Sequence, residues 1–355
     1  MKTGDCIEIE IHDIAFGGEG VARHEGCVVF VPFAALGDRL GVVLTEKKKH
    51  FARGRISEIL TLGPGRIPPE CRYYGNCGGC CYQHLDYDTQ LAVKHKQLRD
   101  ALQRIGGLGD PEIRPILKSP QSYGYRNRIS VHHEDGKIGY RGQDGRSLVD
   151  IEECKIAEPE VNRRLRYLRA HPGRREHYSL RAGTIPGEGF YQANRFLLEK
   201  LQEQVSVLVT EGAAQVIECY GGSGFFTRPI AARVQRVLMI EGNPKLAAEA
   251  RLEAPEHVQV REGDCEQVLR ELGAEDVEPD CEWLLDPPRE GLGEGVRVLL
   301  QQLPGQRLIY VSCNPATLAR DLKDMASTWT PQWFQPMDLF PQTAHFECVA
   351  VCARS

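Results

Sequence analysis

The sequence predicts an α/β protein, a mainly parallel sheet with helices on both faces, that follows a small β-barrel and a β-rich, cysteine-bearing middle segment. Two observations carry the prediction. From Ala214 onward, apolar β-rich runs alternate with stretches of helical period, the pattern of a doubly wound sheet. Over residues 1–61, short alternating runs are instead separated by glycine-rich turns, which suits a barrel of short strands. Gly63-Pro64-Gly65 through Pro68-Pro69 interrupts both patterns and marks a boundary.

In the first segment Cys6 to Ile11 alternates, with Ile7, Ile9 and Ile11 on one face, and Cys27 to Val31, Leu40 to Leu44 and Ala52 to Ile59 supply further strands. Barrels of this size are often oligonucleotide-binding (OB) folds. A cysteine cluster follows, then a helical stretch from Asp86 to Ile105 and a β-rich segment from Tyr123 to Ile151 turning at Gly136, Gly142 and Gly145. Asn194 to Thr210 reads as a helix. The alternation proper places strands at Ala214 to Cys219, Arg236 to Glu241, Val258 to Val260, Glu282 to Leu285 and Arg307 to Val311. Helices are expected at Phe225 to Arg233, Pro244 to Glu253 and Thr317 to Ala326, and a last apolar strand at Phe346 to Val351. Three segments result: 1–61, 62–188 and 189–355.

At 355 residues, 41% hydrophobic and 26% charged, the chain has the composition of a globular protein of two or three domains. No apolar run approaches a membrane span, and the first residues lead into an acidic, alternating segment rather than a signal peptide, so a cytoplasmic protein without membrane contact is expected. Thirteen cysteines in such a chain argue for reduced thiols, metal ligands or catalysis. Cys6, Cys27, Cys219, Cys281, Cys348 and Cys352 lie in apolar strand-like runs and read as packing residues. The net charge of −5 carries no global sign of a nucleic-acid partner, but charge is uneven. Glu160 to Arg181 holds seven arginines against two acids, and Lys47-Lys48-Lys49-His50 is followed by Arg53 and Arg55. Each is either a solvated face or a surface for phosphates.

Cys71, Cys77 and Cys80 place three thiols within ten residues, with Gly78 and Gly79 letting the backbone turn tightly around a ligand. Cys81 adjoins the set, but neighbouring residues rarely aim at one centre. Cys154 closes a β-rich segment and is the candidate fourth ligand. Four thiolates suit either structural zinc or an iron–sulfur cluster, and composition alone favours zinc. Further on, Val216-Ile217-Glu218-Cys219-Tyr220-Gly221-Gly222-Ser223-Gly224 runs a strand into a glycine loop, where a doubly wound sheet lets a nucleotide-like ligand approach its backbone. Glu241 ends the next strand, placed to accept from ribose hydroxyls, and Asp264 follows the third, placed to meet an adenine. No phosphate-binding lysine follows the loop, which favours adenosine with a small tail.

Leu284-Leu285-Asp286-Pro287-Pro288-Arg289 sets an acid at a strand's carboxyl end, with two prolines fixing the loop. In Ser312-Cys313-Asn314-Pro315 a thiol stands where a strand gives way to a helix, Asn314 suiting the N-cap and Pro315 the first helical position. The helix end is expected to favour thiolate at Cys313, against an ordinary thiol pKa of about 8.5. Glu347 interrupts a buried apolar strand, costly for a carboxylate unless it is paired or used, and is a candidate base.

These residues resemble one family over nearly the whole chain, the S-adenosylmethionine-dependent RNA 5-methyluridine methyltransferases. Tyr125-Arg126-Asn127-Arg128, Phe190-Tyr191-Gln192-Ala193-Asn194, Asp286-Pro287-Pro288-Arg289 and Ser312-Cys313-Asn314-Pro315 are similar to its signature motifs. The resemblance implies a Rossmann-like class I methyltransferase domain at 189–355, an OB-like TRAM domain at 1–61 and a shortened central β-rich iron–sulfur domain at 62–188. It implies that Cys71, Cys77, Cys80 and Cys154 ligate a 4Fe-4S cluster, in place of zinc. It further implies that Gln192, Tyr220, Gly222, Gly224, Glu241, Asp264 and Asp286 line the cofactor site, with Cys313 as nucleophile and Glu347 as base. The branch it looks most like acts on ribosomal RNA, so a 23S ribosomal uridine is the expected target of a monomeric enzyme, with transfer RNA the alternative. The chain departs from the family at Gly221, where cysteine is usual, and at Phe225, where a polar residue is usual. Only 37 residues separate Cys154 from Gln192, fewer than in typical members, so part of the central domain is expected to be missing and the arginine-rich stretch to compensate in part.

The chemistry requires such a set. Carbon 5 of uracil is a poor nucleophile until a thiolate adds to carbon 6, and a base must afterwards remove the carbon 5 proton so that the thiolate can leave. The target base must be unstacked, which suits a loop or single-stranded element. Methylation of an exocyclic amine would use an acid before two prolines but leaves Cys313 and Glu347 idle. A cluster-containing RNA-binding or redox-responsive protein without catalysis is the reading of another class.

Overall fold

The computed structural model describes residues 1–183 and 194–355, and the chain divides by its contacts into two compact units. The first comprises Met1–Gln97, Pro120–Thr184 and Phe340–His345, and the second Leu98–Ser119, Ile185–Leu339 and Phe346–Ser355.

In the first unit β1 (Cys6–Glu10), β2 (Asp13–Ile14), β3 (Glu19–His24), β4 (Cys27–Pro32), β5 (Arg39–Lys47) and β6 (Phe51–Thr61) form a sheet in the order β1-β5-β6-β4-β3-β2. Ile9, Val29, Val31, Leu40, Val42 and Leu44 fill its core. Gly54 is required in β6, because a Cβ there would fall 2.3 Å from Val42 Cγ1. The buried carboxylate of Asp38 accepts from the Ala35 N–H at 2.7 Å and the Gly63 N–H at 2.8 Å, and pairs with Arg66 at 2.8 Å, which anchors the Gly-Pro boundary to the sheet. Of the cluster Lys47-Lys48-Lys49-His50, Lys47 ends β5 and the other three form the turn into β6.

α1 (Tyr87–Arg104) is divided between the units, with Gln97 in the first and Leu98 in the second. A second sheet in the first unit takes β7 (Arg128–Glu134), β8 (Lys137–Arg141), β9 (Leu148–Asp150) and β10 (His177–Arg181) in the order β10-β7-β8-β9, all antiparallel. α2 (Pro159–Ala170) packs Val161, Leu165 and Leu168 against Ile129, Val131 and Ile138 of that sheet. The arginine-rich stretch is therefore α2, β10 and the turn between them, which carries Arg174 and Arg175.

The second unit holds α3 (Arg195–Leu208), β11 (Val216–Cys219), α4 (Thr227–Ala231), β12 (Val237–Glu241), α5 (Pro244–Glu253), β13 (Val258–Glu262), α6 (Cys265–Glu271) and β14 (Glu282–Leu285). It continues with α7 (Glu294–Gln302), β15 (Arg307–Ser312), α8 (Pro315–Asp324), β16 (Trp329–Met337) and β17 (Glu347–Arg354). The strands order as β13-β12-β11-β14-β15-β17-β16, the first five parallel and the last two antiparallel. The chain moves outward from β11 to β13, returns to β14 and proceeds the other way. That reversal between β11 and β14 opens a crevice at the carboxyl ends of the strands, where open α/β sheets bind ligands.

Several elements lie outside the sequence reading. β16 contains Pro331 and Pro336, which argue against a strand, yet it is the edge strand and bulges between Pro331 and Trp333, where missing N–H donors are tolerated. β3 includes Gly20, whose Cβ would fall 2.7 Å from that of Ala34. α6 and α7 are likewise absent from that reading. The helix expected over Phe225 to Arg233 is confined to Thr227–Ala231. Cys6, expected in the core, is exposed: Ile7, Ile9 and Ile11 face inward, and the period of two turns Cys6 outward with Glu8 and Glu10. Cys27 is half-buried, its sulfur 3.4 Å from Lys47 Nζ. No helix among the described residues is long and apolar enough to cross a membrane.

Candidate active site

Sheet register brings the thiol and two of the acids singled out in the sequence to one edge. Cys219 pairs with Leu285, Leu285 with Tyr310, and Ser312 with Cys348. One residue beyond these pairs stand Tyr220, Asp286, Cys313 and Glu347, and in the antiparallel register of β15 and β17 it is Glu347 that faces Cys313.

Local structure sets Cys313 at the turn from β15 into α8. Asn314 caps α8 by accepting from the Ala316 N–H at 3.0 Å, and Pro315 takes the first helical position. The Asp286-Pro287-Pro288-Arg289 loop is tied to the same helix end, because the Arg289 carbonyl accepts from Asn314 Nδ2 at 3.1 Å and Thr317 Oγ1 at 3.2 Å. Asp321, fully buried in α8, holds the rest of that loop. It accepts from the Tyr310 hydroxyl at 2.7 Å, the Leu292 N–H at 2.8 Å and Arg320 Nη2 at 2.7 Å, with Arg297 Nη1 at 3.3 Å.

The electrostatics of the edge differ from the expectation at Cys313. Burial pushes its thiol up to about 12, the neighbouring Glu347 and Asp286 push the same way, and Arg289 and a backbone hydrogen bond at Cys313 oppose them. The expected thiolate is therefore a neutral thiol at rest. The backbone at the start of α8 does favour the thiolate, but burial and the two carboxyl groups outweigh it. Burial likewise raises Glu347, 3% exposed, well above the usual carboxylate range, with Asp286 adding to the shift and Arg289 opposing it. Burial alone lifts Asp286 to about 7.

At the glycine loop Tyr220 adopts φ +64°, a left-handed conformation that costs a non-glycine residue about 1–2 kcal/mol and concentrates at ligand sites. Gly222 and Gly224 also have positive φ. The Glu241 carboxylate accepts from the Gly222 N–H at 2.8 Å and the Asn243 N–H at 2.6 Å, holding the loop to the end of β12. Asp264 is exposed and caps α6, accepting from the Gln267 N–H at 3.1 Å. Gly221 is explained by packing, since a Cβ there would fall 2.6 Å from the Met239 side chain. Gln192 and its neighbours Phe190, Tyr191 and Ala193 lie outside the described residues.

The sequence reading assigned no role to Glu218 or Asp321. Glu218, 1% exposed in β11 beneath the loop, accepts from the Thr227 hydroxyl and leaves Oε1 without a partner. Burial lifts it to about 8, with Asp286 and Glu241 adding to the shift. Its signal was an acid inside the apolar run Val-Ile-Glu-Cys, the same signal that singled out Glu347.

In the first unit, Cys71, Cys77, Cys80 and Cys154 line one small cavity of about 40 Å³, together with Tyr73, Gln83, Arg126 and Tyr140. The Cys154 N–H donates to Asn162 Oδ1 at 2.8 Å and the Cys71 N–H to Gln83 Oε1 at 3.1 Å, which set the backbone on both sides. Burial pushes the Cys77 thiol up to about 11, with Cys154 and Cys71 adding to it, and raises Cys80 and Cys154 as well. Cys81 packs instead with the core of the first sheet. Among the described residues no three His, Cys, Asp or Glu side chains converge closely enough to hold a single metal ion.

Comparison with known proteins agrees with this architecture. Residues 1–57 match the TRAM domain family and residues 250–355 the tRNA (Uracil-5-)-methyltransferase family. An uncharacterised RNA methyltransferase of Bdellovibrio bacteriovorus is 32% identical, covering 98% of this chain and 95% of the relative. Another, of Synechocystis, is 30% identical, covering 99% and 96%. The first alignment runs over 377 residues and the second over 452, so the Synechocystis protein carries segments that this chain of 355 lacks. A solved structure of Pyrococcus abyssi tRNA (uracil-54, C5)-methyltransferase with S-adenosyl-L-homocysteine covers 98% of this chain and all of its own, with a TM-score of 0.71 and 22% identity, and so shares its fold. Fold and relatives together define a Rossmann-like methyltransferase joined to a TRAM domain. The chain belongs to the S-adenosylmethionine-dependent RNA 5-methyluridine methyltransferase family and is an RNA (uracil-5-)-methyltransferase.

Proposed function

We propose that the protein methylates carbon 5 of a ribosomal RNA uridine through covalent addition of Cys313 to carbon 6, with Glu347 removing the carbon 5 proton. The observation that supports this most is the register that sets Glu347 opposite Cys313, with Asp286 at the adjoining strand end. Burial keeps the resting thiol neutral, so its proton is released to solvent before the sulfur–carbon bond forms, leaving Asp286 and Glu347 ionised for the steps that follow, and Arg289 stabilises the thiolate. Asp286, ionised, accepts from the N3–H of the uracil and fixes its edge. S-adenosylmethionine, held by Tyr220, Gly222, Gly224, Glu241, Asp264 and Gln192, supplies the methyl group as an electrophilic sulfonium methyl. Glu347 then takes the carbon 5 proton, and the Cys313 sulfur departs. A raised pKa makes Glu347 a stronger base once ionised.

The four cysteines surround a cavity and do not converge on a point, which fits a polynuclear 4Fe-4S cluster better than one zinc ion. Ligation would supply the positive charge that four buried thiolates need, and would pin Cys154 to the Cys71–Cys80 loop. The ribosomal target rests on the joint presence of a TRAM domain and this cysteine set, in an enzyme we take to be monomeric and cytoplasmic. The P. abyssi neighbour, named for transfer RNA, favours the second reading.

The test is trapping. RNA containing 5-fluorouridine, incubated with S-adenosylmethionine and the protein, is expected to give a denaturation-resistant complex, because no base removes fluorine as a cation. Cys313→Ala abolishes that complex, and Glu347→Gln accumulates a methylated covalent complex on ordinary uridine RNA. Trapping that persists in Cys313→Ala would refute the nucleophile. Mapping 5-methyluridine in ribosomal and transfer RNA from a deletion strain decides between the targets.

A further inference from the structure

The arginine-rich helix α2 borders a groove that neither methyl transfer nor the TRAM domain uses. Its buried face, Val161, Leu165 and Leu168, packs on the sheet of β7–β10. The neighbouring face carries Glu160, Arg163, Arg164, Tyr167 and His171, residues three or four apart that follow one side of the helix over about 16 Å. With Leu168 and with Leu180 of β10 they line an open groove of about 440 Å³, inside the range of roughly 300–1,000 Å³ that small-ligand sites occupy.

Tyr167 is 69% exposed, whereas Val161, Leu165 and Leu168 of the same helix are buried. Its ring stacks on that of His171, with centroids 4.6 Å apart and 28° between the planes. His171 is itself held, its N–H donating to the Tyr167 carbonyl at 3.0 Å and its Nδ1 lying 3.2 Å from the same oxygen. The aromatic surface is therefore ordered without being buried, which lowers the entropy cost of stacking another ring on it. The acid of the groove is already engaged: Glu160 accepts from Arg164 Nη2 at 2.9 Å and from the Gly183 N–H at 3.0 Å. Arg163 is exposed beside it, and Arg166, Arg174 and Arg175 are exposed on the same helix and the turn that follows. A solvated helix face accounts for the arginines but not for the ordered ring or the groove. An aromatic platform among guanidinium groups is how proteins hold an unpaired nucleotide, the ring taking the base and the cation its phosphate.

We propose that this groove holds an unpaired nucleotide of the RNA, using none of the residues of the TRAM domain or of the methyl-transfer site. The base stacks on Tyr167 and rests against Leu168 and Leu180, and Arg163 pairs with a flanking phosphate. Stacking tolerates any base, so the groove fixes where the strand runs and leaves the choice of uridine to other contacts. The proposal deepens the reading of the protein as an RNA enzyme and rests on it.

The test uses the full-length protein with Tyr167→Ala, Tyr167→Phe or Arg163→Gln, binding to a 20-nucleotide single-stranded RNA over a range of KCl concentrations, and thermal unfolding. Tyr167→Ala is expected to raise Kd about tenfold at an unchanged salt slope, since it removes stacking and no charge, and Tyr167→Phe to bind like wild type. Arg163→Gln should lower the slope of log affinity against log salt by about 0.7, the value for one phosphate on a single strand. The Tm should hold in all three, because both positions are exposed. Wild-type Kd and slope in Tyr167→Ala and Arg163→Gln overturn the proposal and leave the groove to a partner other than RNA. A Tm that falls in step with binding also overturns it, by making the ring structural. So does displacement of the RNA by micromolar adenosine or uridine monophosphate that is lost in Tyr167→Ala, the mark of a free-nucleotide site. The enzyme reading fails separately: wild-type protein would then make no 5-methyluridine, whatever the groove variants do to RNA affinity.

Discussion

Among the carboxyl groups in strands of the third sheet, burial raises Glu218 in β11 and Glu347 at the start of β17. A group whose folded pKa lies above its unfolded value binds its proton more tightly in the folded state. Its contribution to stability is complete below the unfolded pKa and is lost as pH rises through the folded one. For Glu218 that window runs from about 4.5 to about 8. Glu218→Gln, which keeps an acceptor for Thr227, is therefore expected to stabilise the protein by an amount that grows at about 1.4 kcal/mol per pH unit across the window, read by denaturant unfolding at several pH values. No increment between pH 5 and 8 would show that Glu218 is ionised in the fold. Asp286, at about 7, sets a different signature. If its ionised form receives the uracil N3–H, kcat/KM rises with pH through a limb near 7, and Asp286→Asn removes that limb. The rule that finds such groups, an acid inside an apolar strand, was legible for Glu347 and applied equally to Glu218. The neutral state of Cys313 was not legible, because it depends on Glu347 and Asp286, which are close only in the folded sheet.

At the scale of elements, α8 organises the active edge. Asp321 joins it to β15 through Tyr310 and to the loop after β14 through the Leu292 N–H, while Asn314 and Thr317 bind the Arg289 carbonyl. Asp321→Ala leaves Arg297 and Tyr310 without their buried acceptor, and a loss of about 3 kcal/mol or more in unfolding free energy is expected. Trapping of 5-fluorouridine RNA should slow in the same variant, since Arg289 and Asp286 lose their support. An unchanged trapping rate would show that the loop holds its place without Asp321. Asn314 and Pro315 were readable as a helix start because capping is local. β16 was not readable as a strand, because only the sheet order shows that its prolines lie at an edge.

Across the whole molecule, the cysteine cavity joins a loop at residues 71–80 to Cys154, and the fold alone makes them neighbours. Protein purified without oxygen is expected to contain iron and sulfide with visible absorption, and Cys154→Ser to lose both and unfold at lower temperature. Stoichiometric zinc without iron would refute the cluster. Taken by itself, the sequence determined what short range dictates: the alternation of strand and helix, the glycine loop, the capped turn at Cys313 and the spacing of three thiols. These follow from residue period and backbone preference over a few positions. Tertiary structure decided which strands are neighbours and in what register. On that depend the facing of Cys313 and Glu347, the cavity completed by Cys154 and the groove between α2 and β10. Burial and the fields of residues distant in the chain are set only when the sheet closes, and they govern how each of these groups holds its proton.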